Sequence, residues 1–146
     1  MVINKYENRI IREMSTNDSF YSKSILVVDD DPDFLPTLVD MINEFGYDNI
    51  ITAEDGEEAV SLYKKHRPDL VLMDIVMPKM DGITAFFKIK EFDPLSRIIF
   101  ITAYDPPTKY IEAKAKCAIY LARKPFSNLF LNELINRHIQ EKPICT

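Results

Sequence analysis

The segment that most restricts the fold of this chain is a run of four apolar residues, Leu70 to Met73, that ends on an acid, Asp74. A continuous apolar run of this length, closed by a proline-containing segment and Asp81-Gly82, is typical of a strand buried on both faces. Such strands occur in parallel sheets that helices cover on both sides. Since the ligand crevice of an open α/β sheet lies at the carboxyl ends of its strands, Asp74 is predicted to lie at that crevice.

Strand and helix patterns alternate on both sides of this run. Four further strands are predicted at Ile25–Val28, Asn49–Ala53, Arg97–Ile101 and Ala118–Ala122. Helical periodicity and capping residues predict five helices: about Pro32 to Phe45, Asp55 to His66, Gly82 to Phe92, Asp105 to about Lys116, and Ser127 or Asn128 to Ile139. Five βα units with short connections predict an α/β fold of the flavodoxin-like, doubly wound (βα)5 class. The expected order of the parallel strands is 2-1-3-4-5, with the switch point between the first and third strands.

The composition argues against several classes of protein. A net charge of −5 and a pI near 5.0, without any basic run, argue against a nucleic-acid surface. No apolar stretch is long enough to span a bilayer, and no signal peptide is visible. With only 3 glycines, a glycine-rich phosphate loop is excluded. The two cysteines, Cys117 and Cys145, form neither a disulfide framework nor a metal-ligand spacing, which favours a reducing cytoplasm.

Polar side chains follow the strands at the carboxyl edge of the predicted sheet. They are Asp29 and Asp30 after the first strand, Asp74 after the third, Thr102 after the fourth and Lys124 after the fifth. Clustered carboxylates repel one another, and hard oxygen ligands with open positions suit Mg²⁺. An ammonium and a hydroxyl can contact phosphoryl oxygens, and a nucleophilic aspartate gives an acyl phosphate. The set is therefore typical of metal-assisted phosphoryl transfer.

These residues lie in four segments that resemble, in order and approximate spacing, the receiver domain of two-component response regulators, in particular the single-domain chemotaxis regulators. The segments are ILVVDDDP, DLVLMDIVMPKMDG, IIFITAY and ARKPF, and the match covers Ser24 to about Gln140. The resemblance implies that Asp74 is the phosphoacceptor for the phosphohistidine of a histidine kinase. It also implies Mg²⁺ binding, directly by Asp30 and partly through water by Asp29, completed by the backbone carbonyl of Val76.

The resemblance further implies a conformational switch. Lys124 would contact the phosphoryl group, across a Lys124-Pro125 peptide that is often cis in this family, and Thr102 would move in to bond a phosphoryl oxygen. The family couples that movement to an aromatic residue three positions before the lysine, where this chain has Leu121. Tyr120 is one position away and is expected to point to the opposite face of the sheet. An aromatic rotamer switch is therefore not predicted, although a threonine-driven shift of the following loop is.

The same resemblance predicts where a signal would leave the domain. The family most often uses the surface formed by its fourth helix, fifth strand and fifth helix, and the candidate contacts there are Tyr110, Leu121 and Phe126. The partners expected are a histidine kinase and a downstream protein, with no nucleic acid, no membrane and a possible homodimer. The chain would act as a signalling module that catalyses only its own phosphorylation and dephosphorylation.

The predicted domain organisation is an N-terminal tail over residues 1–23, a receiver domain over 24–141 and a C-terminal tail over 142–146. Within the N-terminal tail, apolar residues recur at helical spacing, followed by a polar linker: Ile3, Tyr6, Ile10 and Met14. This pattern predicts a short amphipathic helix. Such a helix is either a loosely docked tail or a dimerising or partner-binding element, and the sequence does not choose between them.

Two alternatives to an effector that signals by its shape stay open. One is a phosphorelay intermediate that passes its phosphoryl group to a second histidine protein. The other is a pseudo-receiver that binds partners without phosphorylation. A phosphatase of the haloacid dehalogenase type is rejected, because it needs a second aspartate two residues after the nucleophile, where this chain has Val76.

Overall fold

The computed structural model describes residues 22–105, 108, 110, 112–113 and 120–140 of the chain. The strands within these ranges are β1 Ile25–Val28, β2 Ile50–Ala53, β3 Leu70–Asp74, β4 Ile98–Thr102 and β5 Tyr120–Arg123. The helices within them are α1 Phe34–Glu44, α2 Gly56–His66, α3 Gly82–Phe92 and α4 Asn128–His138. Among the residues described, no helix is both long and apolar enough to cross a membrane.

The strands form one parallel sheet in the order β2-β1-β3-β4-β5, which confirms the predicted topology. In the register of β1 and β3, Val28 lies opposite Met73. In the register of β3 and β4, Asp74 lies opposite Ile101. The carboxyl ends of the central strands are therefore level, and the residues that follow them meet at one edge of the sheet.

Helices cover both faces of the sheet, as the continuous apolar strands require. Every residue of β1, β3 and β4 is buried. One apolar layer joins the sheet to α2 and α3 and includes Ala59, Tyr63, Ile83, Phe86 and Ile89. The other joins it to α1 and α4 and includes Leu38, Ile42, Leu131, Leu134 and Ile135. The two layers hold the sheet so that only its edges and strand ends are free for function.

Short polar side chains set the starts of three helices. Asp55 accepts the backbone N–H of the third helical residue of α2, and Asp81 does the same for α3. Ser127 accepts the N–H of Phe130, so the cap of α4 is Ser127 rather than Asn128. Each acceptor satisfies a backbone donor that has no partner within its own helix.

Several predicted boundaries differ from the structure by a residue or more. Asn49 is outside β2, and β4 is shifted by one residue so that it includes Thr102, because the Thr102 carbonyl accepts the N–H of Lys124 at 2.7 Å. Asp105 is not helical and Thr108 lies in a turn, so the prediction of a helix from Asp105 is wrong at its start. Within that predicted helix, the described residues that are helical are Tyr110, Glu112 and Ala113.

The remainder of the predicted fourth helix lies outside the described residues. So do the predicted N-terminal helix with Ile3, Tyr6, Ile10 and Met14, the first two residues predicted for the fifth strand, and Cys117 and Cys145.

Candidate functional site

Three acids meet at the carboxyl ends of β1 and β3. Asp29 and Asp30 directly follow β1, and Asp74 is the last residue of β3. One carboxylate oxygen from each lies within 4.8 Å of those of the other two. Asp29 is fully buried, Asp74 is 7% exposed, and Asp30 is exposed to solvent. The predicted acidic cluster is therefore present, with two buried members and one that faces water.

Lys124 brings a positive charge to this cluster from the end of β5. Its Nζ donates to Asp29 Oδ2 at 2.7 Å and to Asp74 Oδ2 at 3.4 Å. Its backbone N–H donates to the carbonyl of Thr102, and the Lys124-Pro125 peptide is cis. Contacts between ionised partners in a largely buried site are stronger than the same contacts in water. The ammonium thus joins residues that are 95 and 50 positions away in sequence.

The surroundings of Asp74 disfavour its charge. Burial is the main cause that raises the pKa of this carboxyl above its usual value, and the nearby Asp29 carboxylate adds to it. The Lys124 ammonium and the N–H of Ile75, which donates to Asp74 Oδ1 at 2.7 Å, lower the pKa and partly oppose the rise. A carboxylate whose pKa is perturbed by burial together with specific charged neighbours is typical of a functional group.

The loop after β3 is held against the start of α3, which fixes the position of Asp74. The N–H of Gly82 donates to the Ile75 carbonyl at 2.7 Å. A Cβ at Gly82 would lie 2.0 Å from the backbone oxygen of Asp74, so only glycine allows this approach. Lys79 has a positive φ of 64° in the same loop. Val76 follows Ile75, and its side chain is exposed beside the cluster.

Thr102 is buried at the end of β4. Its hydroxyl oxygen accepts the backbone N–H of Tyr104 at 3.1 Å, which ties it to the loop that follows β4. Tyr104 itself is exposed. The predicted position of Thr102 at the carboxyl edge is therefore observed, with its hydroxyl engaged by its own loop.

Asp31, the third acid after β1, contacts the backbone at the start of α1. Its Oδ1 accepts the N–H groups of Asp33 and Phe34, and these two bonds lower the pKa of its carboxyl. Its own N–H donates to Asp29 Oδ1 at 2.9 Å. The backbone N–H of Asp31 therefore orients Asp29, while its carboxylate accepts the backbone N–H groups at the start of α1.

A contact that sequence reasoning missed involves Phe34, the first residue of α1. The Nζ of Lys124 lies 4.2 Å from the centroid of the Phe34 ring, within the range of a cation–π interaction. Phe34 also makes an edge-on contact with Phe126, at 6.4 Å between centroids. Since Phe34 and Lys124 are far apart in sequence, no local pattern could have indicated this contact.

The three candidate contacts of the predicted signalling surface lie in different layers. Tyr110 and Leu121 pack against the layer that contains α2 and α3. Phe126 packs against the layer that contains α1 and α4. Tyr120 contacts Phe130 of α4, on the face opposite Leu121, as predicted from the alternation of a strand.

The donor set at this edge suits a divalent cation and a phosphoryl group. Three carboxylates within reach of one point provide hard oxygen ligands, and the exposed side of Asp30 leaves room for water and for a further ligand. The ammonium of Lys124 lies 2.7 Å from Asp29 Oδ2 and 3.4 Å from Asp74 Oδ2. This arrangement can bind an oxyanion between a cation and an ammonium while it presents a carboxylate to the phosphorus atom.

Comparisons with known proteins agree on one family. The model of the response regulator receiver domain matches residues 25–136 of the chain. The chemotaxis protein CheY of Bacillus subtilis is 41% identical to it over 113 residues, which cover 77% of this chain and 94% of that protein.

Solved structures of similar proteins have the same fold as this chain. A crystal structure of the CheX-CheY-BeF3-Mg²⁺ complex from Borrelia burgdorferi gives a TM-score of 0.72 at 36% identity, and covers 79% of this chain and 88% of the matched chain. The receiver domain of a sensor histidine kinase from Pseudomonas aeruginosa, with a magnesium ion coordinated in its active site cleft, gives a TM-score of 0.74 at 26% identity. That match covers 82% of this chain and 99% of the other.

Proposed function

We propose, because this chain belongs to the response regulator receiver domain family, that Asp74 accepts a phosphoryl group from the phosphohistidine of a histidine kinase in two-component signalling. The observation that carries this assignment is the position of Asp74 at the end of β3, with its Oδ2 at 3.4 Å from the Lys124 ammonium. Asp29 and Asp30 are the other acids of the cluster, and neither is held by the loop that leads to α3.

The proposed step is an in-line displacement at phosphorus. A carboxylate oxygen of Asp74 forms the new P–O bond while the P–N bond to the kinase imidazole breaks, and the electron pair of that bond stays on the ring nitrogen. Because Oδ1 of Asp74 already accepts the N–H of Ile75, we assign the attack to Oδ2, which faces Lys124. The ammonium then lies beside the phosphoryl oxygens, where negative charge must be stabilised.

The residues present fit Mg²⁺ as the cation of this site. Asp29, Asp30 and Asp74 would hold the ion, with the backbone carbonyl of Val76 as a further oxygen ligand. When bound, the ion neutralises the repulsion among the carboxylates and the charge of the incoming phosphoryl group. The support is the donor set itself, together with the magnesium ion in the cleft of the Pseudomonas receiver domain.

We propose that phosphorylation changes the surface beside β5. The Thr102 hydroxyl would leave the N–H of Tyr104 for a phosphoryl oxygen, and the loop that it now holds would shift. The contacts offered to a downstream protein are Tyr110 and Leu121 on one side of β5 and Phe126 on the other. That the Borrelia structure is a complex of CheX with CheY supports a protein as the downstream partner.

The protein would act as a signalling module and would turn over no external substrate. Its only reactions would be its own phosphorylation and the hydrolysis of its acyl phosphate. The absence of a disulfide framework among its two cysteines supports a cytoplasmic location.

The test is mass spectrometry of the full chain after incubation with acetyl phosphate, with and without Mg²⁺. We expect one phosphoryl group to be gained only with Mg²⁺, and no gain in Asp74→Asn. The matched control is Asp33→Asn, because Asp33 is an acid near the site whose side chain makes no capping bond. It should gain the group as the wild type does.

Phosphorylation of Asp74→Asn at another residue would overturn the assignment of the phosphoacceptor. A chain that gains nothing under either condition would instead be a pseudo-receiver. Return of the phosphoryl group to an isolated histidine phosphotransfer domain would identify a relay.

A further inference from the structure

A row of aromatic rings, which we call the aromatic strip, joins β5 to α4 and is formed by Phe126, Phe130, Tyr120 and His138. Successive ring centroids are 6.4 Å apart for Phe126 and Phe130, and 6.3 Å apart both for Phe130 and Tyr120 and for Tyr120 and His138. Tyr120 is 42% exposed and Phe130 is 37% exposed. Phe126 and His138 at the two ends of the strip are half-buried. The adjoining exposed rings of Tyr120 and Phe130 offer an apolar surface to a further segment.

The path of the chain brings its N-terminal segment to one end of this strip. The Nζ of Lys23 lies 3.5 Å from the carbonyl oxygen of Ile139, the residue after His138. The N–H of Ser24 donates to Asp69 at 2.8 Å, which fixes the start of β1. The side chain of Lys23, the second residue that the structure describes, therefore reaches the C-terminal end of α4, and 21 residues precede Ser22 in the sequence.

The sequence of that segment suits an aromatic surface. Its apolar residues at helical spacing, Ile3, Tyr6, Ile10 and Met14, would form one stripe of a helix. A helix over residues 3–14 would be about 18 Å long, close to the roughly 16 Å of α4. Residues 15–22 can span up to about 26 Å when extended, so the segment can turn back along α4.

We propose that residues 3–14 dock as an amphipathic helix on the aromatic strip of the same chain. A tether of this length holds the segment at a local concentration of about 1 mM, well above that of a second copy in a micromolar solution. The intramolecular occupant is therefore favoured over a dimer. The docked segment covers Tyr120 and Phe130 and reaches Phe126, which also belongs to the surface proposed for a downstream protein.

This inference does not depend on the phosphorylation chemistry. The segment would cover Tyr120 and Phe130 whether or not Asp74 accepts a phosphoryl group. A failure of one proposal therefore leaves the other standing.

The first experiment locates the segment in the full chain. A photoreactive p-benzoylphenylalanine replaces the tyrosine at position 6, and the irradiated protein is digested and mapped by mass spectrometry. We expect crosslinks within one chain to the tryptic peptides Cys117–Arg123 and Lys124–Arg137, with a yield that does not change on dilution. Crosslinks between chains, or to other peptides only, would overturn the proposal.

The second experiment measures how firmly the segment is held. Trypsin cleavage after Arg9 and Arg12 is followed in the full chain, in Phe130→Ser and in Phe92→Ser. Phe92 is the matched control, because it is also a helical phenylalanine and is 38% exposed, but it contacts Tyr63 and lies away from the strip. We expect cleavage to be about tenfold faster in Phe130→Ser, as the loss of one apolar anchor predicts, and unchanged in Phe92→Ser.

A variant of the segment itself completes the test. Ile10→Ser should accelerate the same cleavages as Phe130→Ser does, whereas Asn8→Ser, off the predicted stripe, should leave them unchanged. Equal cleavage in the wild type and all of these variants would overturn the proposal, and so would acceleration that is equal in Phe92→Ser and Phe130→Ser.

Discussion

At the scale of single residues, the surroundings of Asp74 make its ionised form unfavourable, which lowers the stability of the folded chain. Asp74 is 7% exposed and lies beside the buried Asp29, and both features favour its neutral form. Lys124 compensates only in part, because its shorter contact, at 2.7 Å, is with Asp29 rather than with Asp74. A carboxylate held in this way gains by accepting a cation or losing its charge, which is what phosphoryl transfer with a metal ion provides.

Replacement of this residue should therefore stabilise the protein at neutral pH. The folded chain keeps the proton of Asp74 to a higher pH than the unfolded chain, whose carboxyl titrates near 3.8, so the free energy of unfolding falls as pH rises through that window. Asp74→Asn cannot ionise and should be more stable than the wild type at about pH 7. The difference should vanish below about pH 3, where Asp74 is protonated in both states.

The measurement is urea unfolding without divalent cations at several pH values. Asp33→Asn serves as the control, since Asp33 is exposed, and its difference from the wild type should stay small throughout. An Asp74→Asn protein that is less stable than the wild type at neutral pH would contradict this account of the site.

At the scale of elements, glycines allow two helix starts to approach the loop between β3 and α3. A Cβ at Gly82 would lie 2.0 Å from the Asp74 backbone oxygen, and one at Gly56 would lie 2.4 Å from that of Met80. The N–H of Gly56 donates to the Met80 carbonyl, so α2 and α3 hold this loop from two sides. The position of Asp74 is thus set by helix packing as well as by its strand.

A comparison of Gly82→Ala with Gly56→Ala should distinguish an effect on stability from an effect on the rate of phosphorylation. Both variants force backbone apart and should lose about 1–3 kcal/mol of stability. Only Gly82→Ala displaces Asp74 itself, so the rate of phosphorylation by acetyl phosphate should fall further in Gly82→Ala than in Gly56→Ala. Urea unfolding and mass spectrometry measure the two effects, and equal rates in two folded variants would disprove a positioning role for Gly82.

At the scale of the whole molecule, the order of the strands assembles the site. Because β1 lies next to β3, Asp29 and Asp74, which are 45 residues apart in sequence, share one edge of the sheet. Lys124 follows β5, on the far side of β4, and its side chain reaches the same acids. Because a cation at this edge would join the ends of β1 and β3, its binding should be coupled to the stability of the sheet.

Mg²⁺ should raise the free energy of unfolding of the wild type. At a free concentration about 100-fold above the dissociation constant, binding to the folded state alone adds about 2.7 kcal/mol. Asp30→Asn should lose most of this increase, while its stability without Mg²⁺ should change little, because Asp30 is exposed. Urea unfolding across a Mg²⁺ titration gives both quantities. If Asp30→Asn kept the full increase, or if Asp33→Asn lost it, the acidic cluster would not be the metal site.

Local patterns in the sequence were sufficient to predict the strands, most of the helices and the order of the sheet. The apolar run before Asp74 predicted a buried parallel strand, and the alternation of strands and helices predicted the observed order of the sheet. The reason is that the spacing of apolar residues along the sequence differs between buried strands and amphipathic helices. The short connections between these elements then allow few topologies. The predicted sheet also placed the acids after β1 and β3 and the lysine after β5 at one edge, where the structure brings them into contact.

Distances and competing contacts were decided only by the tertiary structure. Lys124 lies closer to Asp29 than to Asp74 and stacks on Phe34, and the predicted signalling surface divides between two apolar layers. The end of β4 at Thr102 also depends on a bond to Lys124, which comes from another strand. Each of these features joins residues that are far apart in the chain, so its geometry depends on how whole elements pack, and no pattern within one element records it.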